Sequence, residues 1–148
     1  MDLVILVGLQ ASGKTSFCRE RFAATHEIVS KDLLRNNRRP QRRQEKLIRD
    51  ALAAGRSVVV DNTNPTVADR APLVAIGRAA GATIVGGVFE STRAECLERN
   101  RLRTGKARVP DLAINAAAAR FEPPRPSEGF DRLFRVRLVG NRFDVREA

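Results

Sequence analysis

Short apolar runs alternate with amphipathic stretches along the whole chain. Residues 3–7, 57–60 and 83–89 are nearly unbroken runs of apolar and β-branched residues, as expected of strands buried on both faces. Weaker runs at 27–30 and 133–139 predict two more strands. Between them lie segments with helical spacing. Residues 14–24 follow the first strand; 41–54 carry Leu47, Ile48, Ala51 and Leu52 and stop at Gly55; 66–80 stop at Gly81. A fourth helix starts after Ser91 or Thr92, with Glu95 placed for a capping box, and an alanine-rich helix spans 111–121. The basic stretch 36–43, interrupted by Pro40, reads as a loop or a broken helix. Strand and helix alternate, which predicts an α/β fold with a central parallel sheet of about five strands flanked by helices.

The first strand runs straight into Gly8-Leu9-Gln10-Ala11-Ser12-Gly13-Lys14-Thr15, the pattern G-x-x-x-x-G-K-[ST] of a phosphate-binding loop, and a helix follows. Glycines let backbone N–H groups turn inward around an anion, and the helix start adds partial positive charge. This predicts a P-loop NTPase kinase-type fold. The nucleotide-binding candidates are Gly8, Ala11, Ser12, Gly13, Lys14, Thr15 and Ser16, with Lys14 reaching the terminal phosphates and Thr15 holding Mg²⁺.

Composition narrows this picture. At 148 residues the chain predicts one domain, with no apolar run long enough to span a bilayer. Cys18 and Cys96 are isolated and lack metal-ligand spacing, which fits a reduced, cytoplasmic setting better than a secreted one. His26 is the only histidine, so a general base is expected to be a carboxylate. The net charge of +10 is carried mostly by arginine, which suits a polyanionic partner such as nucleic acid.

Ligands of open parallel sheets bind beyond the C-terminal strand ends, and Asp32 and Asp61 both follow strands there. Either alone could be a turn or helix cap. Beside a phosphate loop, Asp61 suits the Mg²⁺ site and Asp32 suits a general base taking a proton from a hydroxyl. Arg35 shares a helical face with Asp32 and could clamp an anion on the same acceptor. Arg99, Arg101, Arg103, Lys106 and Arg108 crowd the segment between the last two helices and predict an arginine-rich lid over about 99–110.

Together these residues resemble the kinase module of the polynucleotide 5′-hydroxyl kinase family. The likeness rests on the loop 8–15, on Ser30-Lys31-Asp32-Leu33-Leu34-Arg35, on Asp61-Asn62-Thr63-Asn64-Pro65, and on Arg99-Asn100-Arg101-Leu102-Arg103 with Val109-Pro110. It extends to Phe121-Glu122-Pro123-Pro124 and Ser127-Glu128-Gly129-Phe130. The resemblance implies ATP- and Mg²⁺-dependent phosphorylation of 5′-hydroxyl DNA or RNA ends. It implies Asp32 as general base, Arg35 on the acceptor's neighbouring phosphate, Asn62 and Thr63 beside the acceptor, and Arg103 on the transferring phosphate. Lys31 stands where the family often has arginine. No D-x-D-G-T phosphatase motif or ligase signature occurs, so a free-standing kinase module is expected. The same chemistry would serve a small-molecule kinase acting on a sugar, nucleoside or antibiotic hydroxyl. A nucleotide-gated, nucleic-acid-binding NTPase is the third reading.

Overall fold

A computed structural model describes residues 1–34 and 36–148. The elements follow in the order β1 (Asp2–Val7), α1 (Lys14–Phe22), β2 (Glu27–Val29), α2 (Pro40–Ala53), β3 (Val58–Asp61), α3 (Val67–Ala79), β4 (Thr83–Phe89), α4 (Arg93–Arg101), α5 (Asp111–Arg120), β5 (Arg132–Val139) and β6 (Arg142–Glu147). Short 3-10 turns occupy Lys31–Leu34, Gly105–Ala107 and Pro126–Glu128.

One sheet has the order β2-β3-β1-β4-β5-β6, in which the first five strands are parallel. The sixth pairs antiparallel with β5 and closes a hairpin at Gly140, whose φ of 60 lies in the left-handed region. The sheet therefore has one strand more than the sequence predicts. Gly140-Asn141 followed by the alternation Phe143, Asp144, Val145, Arg146 was the available signal.

β1 and β3 are interior strands, with every residue from Leu3 to Val7 and from Val58 to Val60 at most 2% exposed, so both faces of the sheet are covered there. On one face Ile48, Ala51 and Leu52 of α2 and Leu73 and Val74 of α3 pack against Leu3, Ile5, Val58 and Val60. On the other, Phe17 of α1 meets Val4, Leu6, Phe89 and Val136, with Phe89 and Phe143 edge-on at 5.3 and 5.2 Å between ring centres. A third cluster, Leu9, Ala11, Cys96, Ile114 and Ala117, seats α4 and α5 against the phosphate loop.

The predicted elements recur with shifted ends. Pro40, expected to interrupt, begins α2: at the first helical position its missing N–H costs nothing and its φ is already helical. Thr92, not Ser91, caps α4, and its reciprocal bonds with Glu95 complete the capping box.

Candidate active site

The loop 8–13 crosses the C-terminal end of the sheet between β1 and α1. Gly8 donates its N–H to Thr63 O at 3.0 Å, and a Cβ there would sit 2.8 Å from Phe89 Cβ, so only glycine fits. Gly13 caps α1 with φ 98, and Phe143 closes over it: a Cβ at Gly13 would meet that ring at 3.0 Å. Ala11 takes φ 64 without being glycine, a strained backbone that cluster packing against Cys96 and Ile114 holds in place.

Lys14 opens α1 and turns back into the loop. It is 7% exposed and donates from Nζ to Gly8 O at 2.8 Å, Leu9 O at 2.6 Å and Ser12 Oγ at 3.4 Å. Burial pushes its ammonium down to about 8, opposed by the negative charge of Asp61 and reinforced by Arg103, with Asp32 also felt. The charges of both strand-end aspartates and of the arginine-rich segment thus reach one ammonium. Ser12 is buried, whereas Thr15 and Ser16 are exposed on the first turn of α1.

Asp61 ends β3 directly opposite Leu6 of β1, and its Oδ2 accepts a hydrogen bond from Thr15 Oγ1 at 2.9 Å. These two oxygens are hard donors of the kind Mg²⁺ takes. Among the described residues no group of three His, Cys, Asp or Glu could hold a metal by itself. A cation that keeps its waters and is shared with substrate phosphates needs no more than this hydroxyl and carboxylate. The residues fit the ion.

Asp32 lies exposed on the 3-10 turn after β2, where its N–H donates to Ser30 Oγ at 3.2 Å. Asn62, the next residue after Asp61, fixes that turn. It accepts from Lys31 N–H at 2.9 Å and donates to Gln44 Oε1 at 2.6 Å, tying β3, the turn and α2 together. Thr63 contributes its carbonyl to Gly8. Arg35 lies outside the described residues.

The segment after α4 is held at its root by Asn100, fully buried, which bonds both N–H and C=O of Val109 at 3.0 and 2.7 Å and Asp111 Oδ1 at 3.2 Å. The cationic residues between are carried on this clasped loop. Arg103 is half-buried and donates to Ala107 O at 3.2 Å. Arg99 is committed differently: its Nη1 reaches Ala11 O at 3.2 Å and Ser91 Oγ at 2.8 Å, so it braces the phosphate loop.

One buried group went unread in the sequence. Arg70 of α3 is 0% exposed, makes two hydrogen bonds to the Glu128 carboxylate at 2.8 and 3.0 Å, and donates to Asn64 O at 2.9 Å and Glu122 O at 3.0 Å. Asn64, at φ 45, in turn donates to Leu6 O at 2.8 Å. The 61–65 stretch is thereby bolted to β1 and to the later loop carrying Glu122 and Glu128. Arg70 shares its helical stripe with Leu73, Val74 and Gly77, all buried. An arginine on an apolar stripe was the signal.

Charge is distributed unevenly. Several cations of α4 and the β5–β6 hairpin face acids: Arg101 with Glu98, Arg132 with Glu147, Arg137 with Glu95 and Arg146 with Asp144. Lys31, Arg38, Arg39, Arg42 and Arg43 are exposed and form no ion pair among the described residues. No helix among the described residues is long and apolar enough to cross a membrane.

Comparison with known proteins agrees with this architecture. The chain is 28% identical over 142 residues to the bifunctional polynucleotide phosphatase/kinase of Schizosaccharomyces pombe, covering 91% of this chain and 33% of that protein. It thus spans about a third of that relative's length. A gluconokinase from Sinorhizobium meliloti superposes with a TM-score of 0.63 at 21% identity, covering 93% of this chain and 83% of the other. A chain of the Pnkp1/Rnl/Hen1 complex superposes with a TM-score of 0.59 at 25% identity, covering 66% and 38%. The family model described as an AAA domain (AAA_33) matches residues 3–124. The chain belongs to that family, as a P-loop kinase module similar to polynucleotide kinases.

Proposed function

We propose that the chain transfers the γ-phosphate of ATP to the 5′-hydroxyl end of a DNA or RNA strand. The observation that carries this reading is the phosphate loop with its Thr15–Asp61 pair, next to a turn that Asn62, the residue after Asp61, holds in place and that carries Asp32; the charges of Asp61, Arg103 and Asp32 are all felt at Lys14. A hydrolase needs the loop, the Thr15–Asp61 pair and the arginine. A carboxylate on the exposed turn beyond β2 suits a transferase, because an acceptor hydroxyl must lose its proton.

The loop N–H groups from Gly8 to Thr15 cradle the phosphates, and Lys14 exchanges its carbonyl partners for phosphate oxygens. Thr15 and Asp61 would hold Mg²⁺, which would neutralise charge on the triphosphate. Asp32 accepts the proton of the 5′-hydroxyl as its oxygen bonds to the γ-phosphorus. The bond from that phosphorus to the β,γ-bridging oxygen breaks, and ADP departs. Arg103 stabilises the charge spread over the moving phosphoryl group. Arg35 contacts the acceptor's adjacent phosphate. Asn62 keeps the Asp32 turn in place through Lys31 N–H, and Thr63 holds Gly8 beside it. The likeness to the Schizosaccharomyces pombe polynucleotide phosphatase/kinase supports the choice of acceptor over a sugar or nucleoside.

Transfer of label from ATP to a 5′-hydroxyl oligonucleotide, a nucleoside and a sugar acid tests this directly. Label is expected at the oligonucleotide 5′ end, and Asp32→Asn should lower that transfer by about a hundredfold or more while ATP still binds. Label on a small acceptor alone overturns the reading.

A further inference from the structure

A dense block of positive charge lies beside the acceptor side of this site, and its described cations enter no ion pair. Residues 31–43 hold six cations (Lys31, Arg35, Arg38, Arg39, Arg42, Arg43) against Asp32 alone, a net of 6 − 1 = 5 out of the chain's +10. Further along α2 the pattern changes. Lys46 pairs with Asp50 at 2.8 Å and Arg49 with Glu45 at 4.0 Å, each across one turn. Cations are therefore neutralised at the end of α2 far from Asp32 and left bare at the near end.

Arginines at that end do not favour the helix. The first turn of α2 has no acid, and cations at a helix start oppose the helix dipole. The buried stripe of α2 is Gln44, Ile48, Ala51 and Leu52, so Arg42 and Arg43 flank it on the outer surface. Their position is nonetheless fixed. Gln44 accepts from Asn62, which also binds the backbone of Lys31, so the first turns of α2 are locked to the turn that presents Asp32. A row of planar, phosphate-matching donors is held at a set place relative to the base.

We propose that Lys31, Arg38, Arg39, Arg42 and Arg43 form a track for the backbone phosphates that follow the acceptor's 5′-terminal nucleotide, so that the acceptor strand runs along the start of α2. The inference rests on the polynucleotide reading and adds to it a footprint longer than one nucleotide. A small acceptor, with one phosphate or none, could not use the track.

The test is a length series: a nucleoside 3′-monophosphate and 5′-hydroxyl oligonucleotides of two, four, six and eight nucleotides, compared by kcat/KM. The expected result is a rise with length, carried by KM, to a plateau near the number of cations. In Arg42→Ala/Arg43→Ala the ratio of kcat/KM between the eight-mer and the dinucleotide should fall about tenfold. Fluorescence anisotropy of a labelled eight-mer, without ATP or Mg²⁺, supplies an independent readout. There the slope of log Kd against log salt should drop by about 1.4 in the double variant, near 0.7 per lost phosphate contact on a single strand. Arg132→Ala, on the hairpin, should change neither ratio nor slope. Circular dichroism establishes that the double variant folds. A flat length profile, or an unaltered ratio and slope in the double variant, overturns the track while leaving 5′-end transfer standing. Absence of transfer to every length overturns the polynucleotide reading and the track with it.

Discussion

Two buried cations sit near the C-terminal end of this sheet, and they are treated in opposite ways. Arg70 is wholly enclosed and wholly matched: a carboxylate takes two of its hydrogen bonds and two carbonyls take others. Lys14 is almost as enclosed, yet no carboxylate lies within ion-pair distance among the described residues, and its partners are carbonyls of its own loop. Removing a charge from water costs several kcal/mol and must be offset by counter-charge or by a shifted protonation equilibrium. At Arg70 the offset is Glu128. At Lys14 it is incomplete, and the ammonium is displaced to about 8 by burial. The matched cation fastens loops; the unmatched one has room in its electrostatics for an anion.

Lys14→Met breaks the comparison most sharply. Phosphoryl transfer should fall by about a thousandfold or more, since a donor aimed at developing phosphate charge disappears. Folding stability should stay level or rise, because the substitution removes a charge that burial disfavours and fills the space with an apolar chain. Transfer assays and urea melts on the same preparation check both halves. A large loss of stability would show that Lys14, like Arg70, is a structural cation.

Arg70→Met should give the reverse pattern. It leaves the buried Glu128 carboxylate without its counter-charge and frees the carbonyls of Asn64 and Glu122, for a loss of about 3–5 kcal/mol. The double variant Arg70→Met/Glu128→Gln should recover part of that, because the stranded charge is gone. Urea midpoints read both. Residual transfer by whatever fraction remains folded should be near normal; if transfer vanishes while the fold persists, the bolt also tunes the site.

The difference between the two cations explains what was legible in the sequence. Lys14 announces itself through local spacing: strand, two glycines, lysine and helix occupy consecutive residues, and the loop geometry follows. Asp61 was readable for the same reason, as a carboxylate ending an apolar run whose neighbour β1 carries the loop. Arg70 depends on Glu128, 58 residues away, and no periodicity reports such a pairing. Asn100 is similar: its clasp on Val109 turns a run of cations into a closed loop, though the sequence shows only the cations. Arg99, expected among the lid cations, instead props Ala11 O from beneath, a use visible only once α4 is packed on the phosphate loop. The sixth strand was missed where its alternating pattern was short and its hairpin partner was the last strand expected.

The smallest expected effect tests the protonation of Lys14 itself. Its folded value of about 8 lies below the ordinary 10.5, so between those values the unfolded chain retains a proton that the folded chain releases. Stability contributed by this group therefore rises with pH across that window, by about 3 kcal/mol at most, and the burial penalty is fully present below pH 8. Wild type minus Lys14→Met, measured by urea melts from pH 7 to 10.5, isolates the slope from the other lysines. Nucleotide affinity should move the opposite way. ATP phosphates bind the protonated ammonium and raise its pKa, so affinity is level below pH 8 and then weakens, by about 30-fold between pH 7 and 9.5. Titration calorimetry of ATP across that range reads the change directly. A level affinity up to pH 9.5 would mean that the loop carbonyls already stabilise the charge as fully as Glu128 stabilises Arg70, and the contrast between the two cations would reduce to geometry alone.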